Sequence, residues 1–194
     1  RLKKWNIFVT SKYTEEKWKE GLDEIVKAYR SKGFRDARIL SDSISVFSEN
    51  RIRLHVNLYE GQKYHYRSIK WKGNVKYTTT LLDTLLGIQP GDVFNQSLLD
   101  ERLFANPGGF DIQTLYMDAG YLFFNMTPVE VGVQNDSIDF EIRINEGPQA
   151  TIGRVSWMGN TKTSDRVILR EVRTKPGNKF SRTDIQRTMR DLAA

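Results

Sequence analysis

Four landmarks of this 194-residue chain return at one fixed distance. Glu60-Gly61 recurs as Glu146-Gly147, 86 residues on. Ile69-Lys70-Trp71-Lys72-Gly73-Asn74 recurs at that spacing as Val155-Ser156-Trp157-Met158-Gly159-Asn160. Pro90-Gly91 and Phe94 return as Pro176-Gly177 and Phe180, again 86 residues later. A weaker echo at 87 residues links Tyr29 and Gly33-Phe34 to Tyr116 and Gly120-Tyr121. Such a period marks one supersecondary unit built more than once, with neighbouring copies stacked. The chain is therefore expected to be a tandem array of small modules.

One period reads as local structure. Ile69 and Trp71 alternate with polar neighbours, as in a half-buried strand, and Gly73-Asn74 ends the run in a turn. Leu81, Leu82, Leu85 and Leu86 share a helical face, with Thr78 or Thr79 as N-cap and Gly87 as stop. Phe94 anchors the following turn, and Asn95 caps a second helix carrying Leu98, Leu99, Leu103 and Phe104. That helix must break at Asn106-Pro107-Gly108-Gly109, because proline removes a backbone donor and clashes with the preceding turn. It resumes near Phe110. Two alternating runs, 129–133 and 138–144, close the period around an Asn135-Asp136 hairpin turn. The predicted order is strand, helix, helix, strand, strand. This is an α+β unit in which the apolar face of a sheet packs against two helices.

In this register residues 1–62 supply the C-terminal part of a first unit, with a helix over 14–32 and strands over 37–47 and 51–59. Residues 63–147 form a complete unit. Residues 148–194 hold the N-terminal part of a following one, with a strand at 153–157 and a helix near 164–172. A second helix opens at Ser181, which forms a capping box with Asp184. Ile52, Leu54, Val56 and Leu58 share a face too apolar to remain wet. Residues outside the chain, or a neighbouring chain, are expected to complete that first sheet.

Composition narrows the function. Cysteine is absent, which removes disulfides, thiolate zinc sites and thiol catalysis together. Residues 1–13 lack the pattern of a signal peptide and read as the interior of a longer protein. The net charge of +6 is interleaved along helix and strand faces, so it marks solvated surfaces and not a nucleic-acid groove. His55 falls on an exposed strand face and His65 in the link between units; neither has a second ligand at metal-binding spacing. Glu15-Glu16 and Asp100-Glu101 are explained by capping or a solvated helix face. Gly108-Gly109 follows a helix, whereas a phosphate-binding loop opens one. Trp71 and Trp157 belong to the core. No catalytic, cofactor or metal residue is assigned, and an enzyme is not expected.

The ordered landmarks carry a resemblance: Gly73-Asn74 after the first strand, Pro90-Gly91 with Phe94 between the helices, Tyr116 with Gly120-Tyr121 ending the second helix, and Glu146-Gly147 ending the last strand. In this order the chain resembles the POTRA (polypeptide-transport-associated) family from about residue 14 to its last. The resemblance implies a three-stranded mixed sheet packed against two helices in every module. The short links between units most resemble arrays in outer-membrane assembly proteins of the BamA type. The stretch 94–120 is longer than is usual in that family. By this resemblance the chain is a periplasmic arm at the bacterial outer membrane, with its membrane β-barrel outside this segment. Its implied partners are unfolded outer-membrane β-barrel proteins, accessory outer-membrane lipoproteins and periplasmic chaperones, with no cofactor. The alternatives are a structural spacer and a segment of a two-partner-secretion transporter without direct client binding.

In the family the first hairpin strand lies at a sheet edge and the last is central. Carried over, the edge residues are Ile39, Ser41, Ser43, Ile44 and Val46 in one unit, and Val129, Glu130, Val131 and Val133 in the next. An open edge offers a row of unpaired backbone groups, to which an extended client can add as a further strand. Gly132 is expected to form a bulge, which would protect the second of these edges.

Overall fold

The computed structural model describes residues 13–49, 51–106, 108–159 and 164–193; residues 1–12, Pro107 and Asn160 lie outside them. In chain order the elements are α1 (Glu15–Arg30), β1 (Arg38–Ser48), β2 (Arg51–Tyr59), β3 (His65–Lys72), α2 (Thr79–Leu86), α3 (Gln96–Phe104), α4 (Ile112–Asp118), β4 (Asn125–Gln134), β5 (Ser137–Asn145), α5 (Asp165–Glu171) and α6 (Arg182–Ala193). The order β3, α2, α3–α4, β4, β5 is the predicted sequence of strand, helix, helix, strand and strand.

The caps explain the helix limits. The Thr78 side chain accepts from the Leu81 amide, and Gly87 closes α2 in the left-handed conformation at φ 63°. The Asn95 side chain accepts from the Leu98 amide at the start of α3. The second helix is broken as expected: α3 ends at Phe104, and α4 starts afresh on Asp111, whose carboxylate accepts from the Thr114 amide at 2.7 Å. At α6 the Ser181 hydroxyl accepts from the Asp184 amide at 3.1 Å.

β3 pairs with β5 in parallel and β4 pairs with β5 antiparallel, giving a mixed sheet in the order β3-β5-β4. Along β5 every second side chain turns inward, so Ile138, Phe140, Ile142 and Ile144 meet Leu82, Leu86, Leu99, Leu103 and Ile112 in one core. Ile69 and Trp71 are half-buried against it. Phe94 stacks on Phe140 with ring centroids 6.0 Å apart. Tyr66 lies beside both rings, and burial pushes its hydroxyl up to about 12. Gly73 sits at φ 92° where a β-carbon would strike the Ile144 carbonyl oxygen, so only glycine ends β3 here.

The repeat is also physical at the joints between modules. Tyr64 donates its amide to the Gly33 carbonyl at 2.9 Å, and Ala150 donates to Gly120 at 2.8 Å. Around them Phe94 donates to Tyr64 and Gly91 to Tyr66, while Phe180 donates to Ala150 and Gly177 to Ile152.

Two expectations differ from what is found. Residues 153–157 do not form a strand; Thr151 makes only an isolated bridge to Lys179. β3 acquires its ladder from β5, and the described residues of 148–194 contain no counterpart of β5. His65, expected in the link, is the first residue of β3 and pairs with Ser137.

β1 and β2 form a two-stranded antiparallel ribbon beneath α1, none of whose residues is fully buried. Ile52 and Leu54 are 40% and 41% exposed, while Val56 and Leu58 are half-buried. Among the described residues no strand other than β1 lies beside β2, so the expected completion of this sheet does not come from them.

Leu86 is 1% exposed. Leu86→Ala should destabilise the central module by about 2–5 kcal/mol. Chemical denaturation monitored by tryptophan fluorescence checks this, and a loss below about 0.5 kcal/mol would contradict the packing described.

Candidate peptide-binding edges

The residues assigned to edges lie on β1 and β4, and both strands stand at the edge of their sheets. What differs is how far each edge is open. β1 pairs with β2 without interruption from Ser41, opposite Asn57, to Val46, opposite Ile52. Register shifts flank that run, between Ile39 and Ser41 and between Val46 and Ser48. Residues 40–49 are all exposed, with Val46 at 83%. Among the described residues, the far side of β1 therefore presents an unbroken row of amides and carbonyls with no strand beside it.

β4 is closed by several devices. Pro128 has no N–H to offer. The register shifts between Glu130 and Gly132, so Val131 is the extra residue of the expected bulge. Glu130 is held by Arg35 at 2.5 Å, from the segment before β1. Arg67 of β3 reaches across β5 to bond both Asp139 and Gln134, tying all three strands together. Asp139 also accepts from the Ser68 hydroxyl at 2.6 Å. The Arg67 guanidinium, and after it the Ser68 hydroxyl, hold the Asp139 carboxyl well below the usual aspartate range.

β3 is a third edge, one that its residue pattern does not announce. Its first half is occupied by the turn that follows α2. Tyr66 donates to the Asp92 carbonyl at 2.9 Å and accepts from the Gly91 amide at 2.7 Å. β2 occupies the place in its ribbon that β5 holds in the central sheet, 86 residues later. Its free side corresponds to the inner position filled by β3.

The remaining candidates have structural roles. Glu15 is paired with Lys19, and Asp100 accepts from Gln96. Trp71 donates to Asp83 at 2.7 Å. His55 is exposed, and His65 stands 3.8 Å from Asp136. Among the described residues no group of three or more His, Cys, Asp or Glu is placed to hold a metal. No helix among them is long and apolar enough to cross a membrane.

A tandem series of small α+β modules, in which both described hairpins place their first strand at a sheet edge, defines the class of this chain. The POTRA family model, described as surface antigen variable number repeat, matches residues 64–147 and 150–194, and the chain belongs to the POTRA family. It is 22% identical over 183 residues to the outer membrane protein assembly factor BamA of Neisseria meningitidis serogroup B, covering 92% of this chain and 22% of that protein. A putative outer membrane protein assembly factor of Treponema pallidum is 25% identical over 170 residues, covering 84% of this chain and 20% of its own length. The chain thus spans about a fifth of these curated relatives. In fold it is similar to the crystal structure of Haemophilus influenzae BamA POTRA3-5, with TM-score 0.71, 19% identity, and coverage of 95% of this chain and 71% of that one.

The Arg67 clamp makes stability pH-dependent in a defined direction. Because folding depresses the Asp139 pKa, its contribution is complete above the unfolded value of about 3.9 and is lost as pH falls through the lower folded value. Thermal melts from neutral to acidic pH should show Asp139→Asn less stable than the parent at pH 7. The gap should begin to close below about pH 4 and go on closing toward the lower folded value; parallel curves with no convergence would exclude the clamp.

Proposed function

We propose that this chain is part of the periplasmic arm of an outer-membrane β-barrel assembly machine, and that β1 receives unfolded outer-membrane protein precursors as an added strand. The modules are divided at 1–62, 63–147 and 148–194. The family, and relatives named as outer membrane assembly factors, support the setting. One observation carries the role of β1: its run at 41–46 is unbroken and, among the described residues, has no strand on its outer side, whereas β4 is interrupted by Pro128 and the bulge at Val131 and braced by the Arg35 and Arg67 contacts. Ile39, Ser41, Ser43, Ile44 and Val46 thus form the acceptor, and Val129, Glu130, Val131 and Val133 a guarded edge. Accessory outer-membrane lipoproteins and periplasmic chaperones dock on the same arm, and a barrel outside this segment anchors it.

A second reading, a structural spacer, draws on the repeated joint. Hydrogen bonds of the same pattern at Gly33–Tyr64 and Gly120–Ala150 favour a fixed angle between modules. Amide chemical-shift mapping with an unstructured peptide taken from an outer-membrane barrel strand separates the two. Strand acceptance predicts shifts at 41–46 and none at 129–133. A spacer predicts shifts at neither, and shifts confined to β4 would reverse the assignment.

A further inference from the structure

Backbone pairing is indifferent to side chains, but the two faces beside β1 are not alike. This inference rests on β1 accepting a strand. On one face Ile44 and Val46 lie opposite Leu54 and Ile52, and all four are exposed. The other face carries Arg51, Arg53 and His55 on β2, and opposite the last two only the short hydroxyls of Ser45 and Ser43. Arg38 belongs to the same polar face, opposite Tyr59.

The nearby carboxylates Asp42 and Glu60 are engaged elsewhere. Asp42 falls on the apolar face, opposite Val56, and accepts from Trp18 Nε1 at 2.7 Å. Glu60 accepts from the Tyr29 hydroxyl at 3.0 Å. Glu49 stands in the turn between the strands. Among the described residues Arg38, Arg51 and Arg53 take part in no ion pair. Arg53 Cζ lies 4.7 Å from the centroid of the Phe47 ring. Because Phe47 is on β1, the Arg53 guanidinium extends from β2 onto the neighbouring strand, past a serine too short to block it. Stacking on the ring orients the guanidinium plane and leaves its N–H donors free.

We infer that the open edge of β1 selects strands in which apolar residues alternate with carboxylates. The apolar residues of an added strand would continue the face of Ile44, Val46, Leu54 and Ile52. Its carboxylates would continue the serine face, within reach of Arg51 and Arg53. Side chains on neighbouring strands interact in this way, and opposite charges favour the pairing while like charges oppose it.

The test uses the whole chain and end-capped peptides long enough to span residues 41–46, alternating valine with glutamate, glutamine or lysine. Binding is followed by the amide shifts of β1. Two opposite-charge pairs should make the glutamate peptide about fivefold tighter than the glutamine peptide, and like charges should make the lysine peptide about fivefold weaker. Added salt should narrow the spread. The double variant Arg51→Glu, Arg53→Glu should invert the order, and Arg53→Gln should weaken the preference without inverting it. Both arginines are exposed, and unchanged β2 amides verify that the ribbon is intact. Equal affinity of the three peptides at β1 overturns selection while leaving strand acceptance standing. Binding of none of them there overturns strand acceptance, and selection with it. Phosphatidylglycerol vesicles that shift Arg51 and Arg53, with no discrimination among peptides, would assign the face to a lipid surface and also overturn selection.

Discussion

Two parallel strands cannot be joined by a short turn, and β3 and β5 are such a pair, with residues 73–136 between them. That separation places α2, α3, α4 and β4 in the connection. Since β5 returns to the middle of the sheet, β4 has nowhere to pair except on its outer side. With both flanks occupied, β5 can turn Ile138, Phe140, Ile142 and Ile144 into the core and keep Asp139, Glu141 and Arg143 on the outer face. The same dependence accounts for residues 153–157. Their sequence copies β3, but a strand is a pairing and not a property of its own residues. The edge position of the hairpin strand is thus a product of topology, and any module of this order must either guard that edge or use it.

β4 and β1 resolve that choice differently at matching positions. Pro128, opposite Ile142, corresponds to Asp42, opposite Val56 86 residues earlier, so one edge lacks a donor where the other has one. β4 is bulged in mid-strand, whereas the irregularities of β1 fall at its two ends and spare the run between them. Long charged residues brace β4: Arg67 through Gln134 across the face of the sheet, and Arg35 through Glu130 from the segment preceding β1. On β1 the residues opposite His55 and Arg53 are serines, too short to cover the strand's outer side.

Much of this was legible because repetition turns weak local signals into strong ones. Thr78, Asn95 and Gly87 are ordinary cap residues, but the 86-residue spacing fixed where each belonged, and the helix break at 105–111 followed from the chemistry of the intervening glycines and proline. Gly132 announced its bulge because glycine weakens the interior of an alternating strand and collects where the ladder is interrupted. The bulges of β1 carried no such mark, since Leu40 and Phe47 are common strand residues. Nor could the seal on β4 be read. Arg67 and Asp139 are 72 residues apart, and each is an ordinary surface charge until the sheet brings them together. The turn at 91–94 covers the outer side of β3 through backbone groups, which leave no trace in residue type.

The joints and the edges therefore follow different rules within one repeat. At the joints backbone bonds recur between Gly33 and Tyr64 and between Gly120 and Ala150, although tyrosine and alanine share no side-chain chemistry. Geometry carried by the main chain survives such changes, so the angle between modules can persist while surfaces diverge. The two functions even meet in one residue. Arg35, from the joint itself, stacks 5.6 Å from the Tyr64 ring centroid and pairs with Glu130 on the following sheet. Docking one module on the next thus helps to close the edge of the second. An array built in this way can leave a chosen edge open by a few substitutions, without altering the frame that positions it.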